Sequence, residues 1–424
     1  MRLDSDTAAR LASDEGLWRD FNDICDRGGR LAGSESEKRA FALLRERVRA
    51  ASPNNTGRSI PVPYGGWRAT KAVLTLGDGG QVPCHPLVRT IATGKGGLTA
   101  EVIDLGRGTP DEFEAHAAEI KGRIVLVRHE LMFAAGTIHR RRKYDMARAN
   151  GAVGFLIAGP LPGHVVAGSS GREAGEGIPA LGISPETAAR LARRAAGRPS
   201  VTMTIETEEG PAETETLVYD YPGQTDEWVV LSAHVDGHDL AESAMDNGTG
   251  LASVLAVTRA LAPKVASFRR GLRVMFFSVE EWALTGSAQY VKSLSEAERA
   301  RIALNVNLDS VAGSPHLAAL SSGYAGVEPF LLAVAEANGQ SLRTVRPLMT
   351  NSDHANFALG GIPAIRLVAG FDDPAAHLRV VLTPADTRDK VAQSELRQAT
   401  LLTAALVAAA CNADPAEAAT WRAK

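Results

Sequence analysis

The C-terminal half of the chain alternates between short apolar runs of strand length and longer stretches of helical character. The apolar runs are LVYDYPG, WVVLSAHVD, LRVMFFSVEE, ALNVNLDS and PAIRLVAG, and the segments between them include GLASVLAVTRALA and GVEPFLLAVAEAN. Strands that alternate with helices usually form a mostly parallel sheet that is covered on both faces. The sequence therefore predicts an α/β domain that begins near residue 213.

The segment that precedes this alternation predicts a second, smaller unit. It contains apolar runs of strand length such as KGRIVLVRH, and residues 184–197 have the character of a helix capped by a serine. A polar stretch, TEEGPAETET, follows as a break. We therefore predict a β-rich insert domain over residues 82–212, and a catalytic domain built from residues 1–81 and 213–424.

Charge and hydropathy limit the partners of this chain. The net charge of -3 gives no general attraction to nucleic acid or to an anionic membrane. No apolar run reaches the roughly 18 residues that a spanning helix needs, and the first residues lack a signal-peptide core. The three cysteines are too far apart for a disulfide framework or a thiolate metal site. We expect a cytoplasmic protein without nucleic-acid or membrane partners, and a homo-oligomer is left open.

Histidine and carboxylate side chains follow three of the predicted strands at the point where each strand ends. These residues are His234, Asp236, Glu280, Glu281 and Asp309. The carboxyl ends of parallel strands meet at the edge of the sheet where α/β proteins bind ligands. Carboxylates this close repel one another, so a cation must lie among them or some must stay protonated. Imidazole and carboxylate without thiolate suit Zn²⁺ first, with Mn²⁺ or Co²⁺ as alternatives.

The adjacent residues Glu280 and Glu281 predict two different roles. Consecutive residues beyond a strand end can point in different directions, so one can bind a metal while the other accepts a proton from water. A metal lowers the pKa of bound water from about 15.7 to about 7, which allows attack on a carbonyl at neutral pH. The pattern favours a metal-dependent hydrolase. We expect His238 and Asp239, in the loop after His234, to face water.

The motif series HVD, MDNGTG, SVEEWALTGS, NLDS, SDHANF and TPADTRDK resembles the di-zinc aminopeptidase family that includes glutamate carboxypeptidase and the transferrin-receptor-like proteins. This resemblance covers nearly the whole chain. The segment KYDMARANGAVGFL resembles the protease-associated domain that is often inserted in these proteins. The resemblance implies a phosphorylase/hydrolase-like α/β fold, with a mixed, mostly parallel sheet between helices and an inserted β-rich domain.

The resemblance also implies a role for each residue of the carboxylate cluster. One metal ion would be held by His234, Asp246 and Asp309. Asp246 would bridge to a second ion that Glu281 also binds. Glu280 would be the general base, and Asp236 would orient His234, as metal-bound imidazoles usually require. In such proteins the peptide bond after the bridging aspartate is commonly cis.

One position departs from the family pattern. The family usually has a histidine directly before the threonine of its TPADT-like segment, and this chain has Leu382 there. Three outcomes are open. The protein could be a mononuclear hydrolase, or it could have lost catalysis. Alternatively, another group could replace the missing ligand, with His377 as the nearest candidate and His316 as a less well placed one. Because Glu280 and Glu281 are both present, we expect an active enzyme with a complete first site and a weak or rearranged second one, and hence one or two ions per chain.

Four further residues are candidates for substrate binding. Arg140 and Arg141 lie in a basic run of the insert, and in the carboxypeptidase branch this domain supplies arginine that holds a substrate carboxylate. His354, in NSDHANF, could bind substrate or water, and Tyr324 could donate to a developing oxyanion.

The sequence therefore predicts a metal-dependent hydrolase of amide bonds in small substrates, an aminopeptidase or carboxypeptidase with Glu280 as base. One alternative is a single-metal amidohydrolase of a non-peptide or N-acylated metabolite. Another is a non-catalytic binding protein derived from the family. A cyclotransferase of the glutaminyl-cyclase kind is disfavoured, because such enzymes rely on the histidine that Leu382 replaces.

Overall fold

A computed structural model describes residues 1–172, 175–193 and 197–424, and one mixed sheet of 14 strands extends through it. The strands are β1 Arg58–Leu76, β2 Gln81–Val82, β3 Cys84–Pro86, β4 Leu98–Asp104, β5 Ile124–Arg128, β6 Gly154–Ala158, β7 Ala180–Ile183, β8 Ser200–Tyr221, β9 Trp228–His234, β10 Gly271–Phe277, β11 Ile302–Leu308, β12 Leu317–Leu320, β13 Leu342–Val345 and β14 Ala364–Ala369.

The helices cover the sheet and fill the connections between its strands. They are α1 Ser5–Ala12, α2 Glu15–Cys25, α3 Glu35–Ala51, α4 Pro110–Ala115, α5 Ala117–Ile120, α6 Arg140–Ala149, α7 Pro185–Leu191, α8 Thr249–Leu261, α9 Glu280–Ala283, α10 Thr285–Ser293, α11 Glu296–Ala300, α12 Glu328–Ala337, α13 His354–Leu359, α14 Gln393–Asn412 and α15 Pro415–Thr420. None of these described helices combines the length and apolar character needed to span a bilayer.

The order of the strands places a parallel block at the centre of the catalytic half. The sheet runs β13-β12-β14-β11-β9-β10-β8-β4-β5-β6-β7-β3, and β10, β9, β11 and β14 are mutually parallel neighbours. Every residue of β11 and β14 is buried, as expected for strands covered on both faces. Helices α8 and α14 pack on β9 and β11, and α13 packs on β11 and β14. The predicted α/β fold is confirmed.

The insert has its own parallel strands and is joined to the catalytic half by a long ribbon. Strands β4, β5, β6 and β7 are parallel neighbours, and β8 pairs with β1 over nearly its whole length. The predicted polar break over residues 207–216 is wrong, because these residues lie within β8. The ribbon tolerates polar side chains since most of them are exposed or half-buried there. The domain boundaries at 82 and 212 stay a prediction.

The helix predicted for the insert over residues 184–197 is shorter in the structure. Ser184 caps α7, as predicted, through a hydrogen bond from the backbone N–H of Thr187, but the helix ends at Leu191. Residues 194–196 of the predicted helix lie outside the described part of the chain.

Candidate metal centre and active site

Three of the predicted metal ligands meet at the carboxyl ends of β9 and β11. His234 is the last residue of β9, Asp309 follows β11, and Asp246 lies in the turn before α8. His234 Nε2 is 3.2 Å from Asp246 Oδ1 and 3.7 Å from Asp309 Oδ1. Over the described ranges this is the one group of three or more such side chains whose donor atoms all lie within 4.8 Å of one another. The peptide bond between Asp246 and Asn247 is cis, as the resemblance implied.

The hydrogen bonds of His234 leave a lone pair that fits a metal ion. Its Nδ1 lies 2.9 Å from the carbonyl oxygen of Asp236, so Nδ1 carries the ring proton and donates it. Nε2 is buried and has no hydrogen-bond partner among the described residues. A lone pair that faces two carboxylates is repelled by them unless a cation lies between. The donor set therefore fits a divalent metal, which this site would hold through His234, Asp246 and Asp309.

The pKa values of the cluster also reflect its need for positive charge. Burial raises the pKa of Asp246 to about 6, and the nearby carboxylates Glu281 and Asp309 add to the shift. Burial alone would lower the pKa of His234, but Glu280 and the two aspartates raise it well above its usual value. The cluster thus favours a positive charge next to Nε2, and a bound metal ion supplies one.

Asp236 holds the turn that carries the two glutamates. Its Oδ1 accepts a hydrogen bond from the backbone N–H of Glu280, and its Oδ2 accepts one from Glu281, each at 3.1 Å. We predicted that Asp236 orients His234. Its backbone carbonyl does so, whereas its carboxylate lies 3.9 Å from Nδ1 of that ring. The single residue therefore fixes both the imidazole and the start of α9.

Glu280 lies where a general base is needed. It is 5% exposed and lines a small cavity together with Asp246 and Asp309. Burial raises its pKa well above the usual value, and Glu281, Asp309 and Asp353 add to this effect. No hydrogen bond between described residues involves its carboxylate. The carboxylate is therefore free to accept a proton from a water molecule in the cavity.

Glu281 contacts a histidine that we expected to face water. His238 is 3% exposed, and its Nε2 lies 2.8 Å from Glu281 Oε2. Burial would raise the pKa of Glu281, but His238 lowers it. Asp239 is exposed as expected and lies 3.1 Å from His85 of the insert.

The prediction for His238 is wrong because its loop folds inwards. The buried Arg30 donates to three backbone carbonyls of the loop, at 2.9, 2.8 and 2.7 Å, which belong to Val235, Glu242 and Ser243. These hydrogen bonds replace the water that the loop would otherwise need.

Two charged residues that support the site were not predicted. Asp386 accepts hydrogen bonds from the backbone N–H groups of Met245 and Asp246, at 2.7 and 3.3 Å, and so fixes the turn that presents the ligand. Arg366 Nη2 lies 3.0 Å from Asp309 Oδ2. The signal for Arg366 was available, since an arginine in the middle of an apolar run such as PAIRLVAG needs a buried partner.

Neither histidine that we considered as a substitute ligand lies at the site. His377 is exposed, and its Nδ1 lies 2.7 Å from the carbonyl oxygen of Lys390. The side chain of His316 is 79% exposed and lies 3.8 Å from Asp373. Leu382 lines the cavity beside Asp246 and Glu281. The predicted substitution by His377 is therefore wrong, because its ring is held in a surface turn.

Tyr324 and His354 are both buried away from the cavity lining. The hydroxyl of Tyr324 donates to the carbonyl oxygen of Ala358 at 3.2 Å, so the predicted role as an oxyanion donor is wrong. His354 begins α13, and its ring nitrogens have no partner among the residues that the structure describes. Burial and the nearby Arg366 lower its pKa to about 3. The structure therefore places a buried, neutral imidazole at this position, and His354 is not among the residues that line the cavity.

The insert supplies one wall of the active site. Arg140 and Arg141 line the small cavity over the carboxylates and also an adjoining cavity of about 500 Å³. Arg140 is already engaged, since its Nε donates to the Ser169 carbonyl at 2.6 Å and its Nη1 lies 3.3 Å from His129 Nε2. The Nε of Arg141 has no partner within the described ranges. Arg141 is therefore the better placed of the two to bind a substrate group.

Two family models match this chain. Residues 216–407 match peptidase family M28, and residues 86–191 match the PA domain. The probable lipoprotein aminopeptidase LpqL of Mycobacterium tuberculosis is 27% identical over 331 residues, which are 72% of this chain and 63% of that protein. Aminopeptidase YwaD of Bacillus subtilis is 25% identical over 390 residues, which are 89% of this chain and 81% of that protein. The chain thus spans less than two thirds of the first relative.

Solved structures share the whole fold. A peptidase M28 precursor from Shewanella amazonensis has a TM-score of 0.80 at 21% identity, over 96% of both chains. BSAP, a zinc aminopeptidase from Bacillus subtilis, has a TM-score of 0.73 at 23% identity, over 93% of this chain and 95% of that one. The similarity extends over both the catalytic half and the insert.

Proposed function

We propose that this chain is a member of peptidase family M28 with an inserted PA domain, and that it is a zinc-dependent aminopeptidase of short peptides. The family match supports the predicted class of metal-dependent peptide hydrolase. Relatives named aminopeptidases, and a zinc aminopeptidase of the same fold, support the finer assignment and the metal. The observation that carries the proposal is the group of His234, Asp246 and Asp309 beside the unpaired carboxylate of Glu280.

Each residue of the site has a defined task in this proposal. His234, Asp246 and Asp309 would hold a zinc ion, which would supply a Lewis acid for the activation of water and of the scissile carbonyl. Glu280 accepts the proton of the attacking water and delivers it to the leaving nitrogen. Asp236 holds Glu280 in place through its backbone N–H. The burial of Glu280 suits this task, because a raised pKa makes its carboxylate a stronger base.

The basic wall of the cavity supports a substrate with a free carboxylate. Arg141 lines the cavity together with Glu280 and Glu281, and its guanidinium carries positive charge toward the space where a short peptide would lie. Arginine pairs well with a carboxylate because its planar fork can donate two hydrogen bonds. This observation also favours a carboxypeptidase as the second candidate, in which Arg141 binds the carboxylate of the residue that is released.

Peptides with one blocked end separate these candidates. We expect the zinc-loaded protein to release leucine from leucine p-nitroanilide and from C-amidated tripeptides. We also expect it to spare N-acetylated tripeptides and to lose activity in a chelator until zinc is restored. Cleavage of N-acetylated but not of amidated peptides would show a carboxypeptidase. Hydrolysis of N-acylated amino acids alone would show an amidohydrolase. Absence of all hydrolysis by the zinc-loaded protein would favour a binding protein.

A further inference from the structure

We propose that the imidazole of His238 takes the place of a second metal ion at Glu281, so that the protein binds a single catalytic metal ion per chain. This inference rests on the proposed function for the first metal site and assigns a positioning role to a residue outside the predicted set. It follows from the donors available beside Asp246, from the contact that Glu281 makes, and from the rigidity of the loop that carries His238.

The chain does not provide enough donors for a second ion. The two carboxylates that the resemblance assigns to a second ion are Asp246 and Glu281, and both line the small cavity. The position where the family pattern has a histidine is Leu382, whose aliphatic side chain lines the same cavity. Within the described ranges no second group of three donors comes together. Two protein ligands are fewer than the three that a catalytic zinc site usually has.

Glu281 already has a partner in place of a metal ion. His238 Nε2 approaches its Oε2 to 2.8 Å, and both residues are buried, at 3% and 8% exposure. The contact is an ion pair by distance and not a hydrogen bond, since neither ring nitrogen of His238 has a hydrogen-bond partner among the described residues. A buried carboxylate with such a partner is compensated without a second cation, whereas a bare one would not be.

The loop holds His238 in this position and leaves it little freedom to withdraw. The backbone N–H of His238 donates to Ser243 Oγ at 3.0 Å. Gly29 packs so closely on the loop that a Cβ there would lie 1.6 Å from the carbonyl oxygen of His238. Arg30 fixes the flanking carbonyls from the same side. These contacts fix the backbone at His238, and the buried ring lies against Glu281.

Metal stoichiometry tests this proposal without any substrate, so its failure is distinct from a failure of the proposed function. The full-length protein is loaded with zinc, dialysed, and measured for zinc per chain by mass spectrometry and by calorimetric titration. We expect one ion in the wild type, one in Leu382→His, one in His238→Asn, and two in the double variant Leu382→His/His238→Asn. The double variant alone restores a third ligand and also frees Glu281.

Three results would overturn the proposal. Two ions in the wild type that fall to one in His238→Asn would make His238 a ligand. Two ions in Leu382→His alone would show that His238 does not exclude the second ion. One ion in a folded double variant would show that Glu281 is not the missing ligand. His377→Asn serves as the matched control, because that histidine is exposed and should not affect the count. Circular dichroism of each variant reports folding. The number of zinc ions bound by the wild type tests the proposal even if a variant fails to fold.

Discussion

Replacing Glu280 with glutamine removes the proposed base and leaves the rest of the site nearly unchanged. The side chain is 5% exposed, and its carboxylate makes no hydrogen bond to another described residue, so the amide breaks none. The backbone N–H that binds Asp236 is kept. The three residues of the metal group are not altered. The variant therefore tests proton transfer with little disturbance of metal binding or packing.

The expected loss of activity is large and the expected loss of stability is none. A positioned general base contributes about 10²- to 10⁴-fold to rate, which corresponds to roughly 3–5 kcal/mol in the barrier at about 1.4 kcal/mol per tenfold change. Burial raises the pKa of Glu280 above that of an unfolded glutamate, so ionisation above the unfolded pKa opposes folding. Glutamine cannot ionise. The free energy of unfolding of the metal-free variant should therefore equal or exceed that of the wild type above neutral pH.

Three measurements on the same preparation decide the outcome. Kinetics on leucine p-nitroanilide give kcat/KM, mass spectrometry gives zinc per chain, and urea unfolding gives the free energy of unfolding. Glu336→Gln is the matched control, because Glu336 is exposed on α12 and the same change there should leave all three quantities unaltered. A Glu280→Gln variant that keeps its zinc and retains the kcat/KM of the wild type would refute the assignment of the base.

Three further predictions concern substrate binding, the metal and acid stability. Arg141→Ala should raise KM about 10- to 100-fold for peptides with a free carboxylate and much less for their C-amides, since a hydrogen bond to a charged group contributes about 1.5–3 kcal/mol; equal effects on both would argue against the assignment. Asp309→Asn should weaken zinc binding. Zinc at about 100 times its wild-type Kd should stabilise the wild type by about 2.7 kcal/mol and should not stabilise the variant, which thermal unfolding can measure. Burial and nearby cations lower the pKa of His129 to about 3 and that of His139 well below its usual value. The folded protein therefore binds fewer protons than the unfolded chain below pH 6.5, and His129 should reduce the free energy of unfolding by about 2 kcal/mol between about pH 7 and pH 5, with His139 acting in the same direction. Urea unfolding of His129→Asn at pH 7 and pH 5 tests this. If the variant lost as much free energy of unfolding between the two pH values as the wild type, the result would contradict the prediction.

The fold and the metal group could be predicted because both follow from local patterns. Apolar runs that alternate with helices specify a parallel sheet, and its strands end together at one edge. His234 and Asp309 lie at or just beyond the ends of β9 and β11, which are direct neighbours, so their proximity follows from strand order. Asp246 could be placed only through the motif, because a loop of irregular backbone separates it from β9.

The errors arose where a side chain depends on a distant part of the chain. His238 has the sequence setting of a solvent-facing loop residue, and only Arg30, from the N-terminal segment, draws that loop inwards. Tyr324 and His377 looked available because their neighbours are polar, but each is committed to a backbone carbonyl. The pattern of apolar and polar residues does not predict such contacts, since a hydrogen bond to a remote carbonyl imposes no pattern on the residues around it.

The distribution of cationic side chains supports a site built around one metal ion. Arg366 contacts the outer oxygen of Asp309, and His238 contacts Glu281, so two of the carboxylates around the centre have a protein partner. Of the four carboxylates Asp246, Glu280, Glu281 and Asp309, Asp246 and Glu280 are the two without a side-chain cation from outside the metal group at contact distance among the described residues. These are the two carboxylates that the proposed mechanism uses, one as a ligand and one as a base. A second divalent ion would have to displace His238 from Glu281, whereas the first ion meets a vacant lone pair on His234. The charges of this chain are thus arranged for one ion, and the replacement by Leu382 is matched by the inward position of His238.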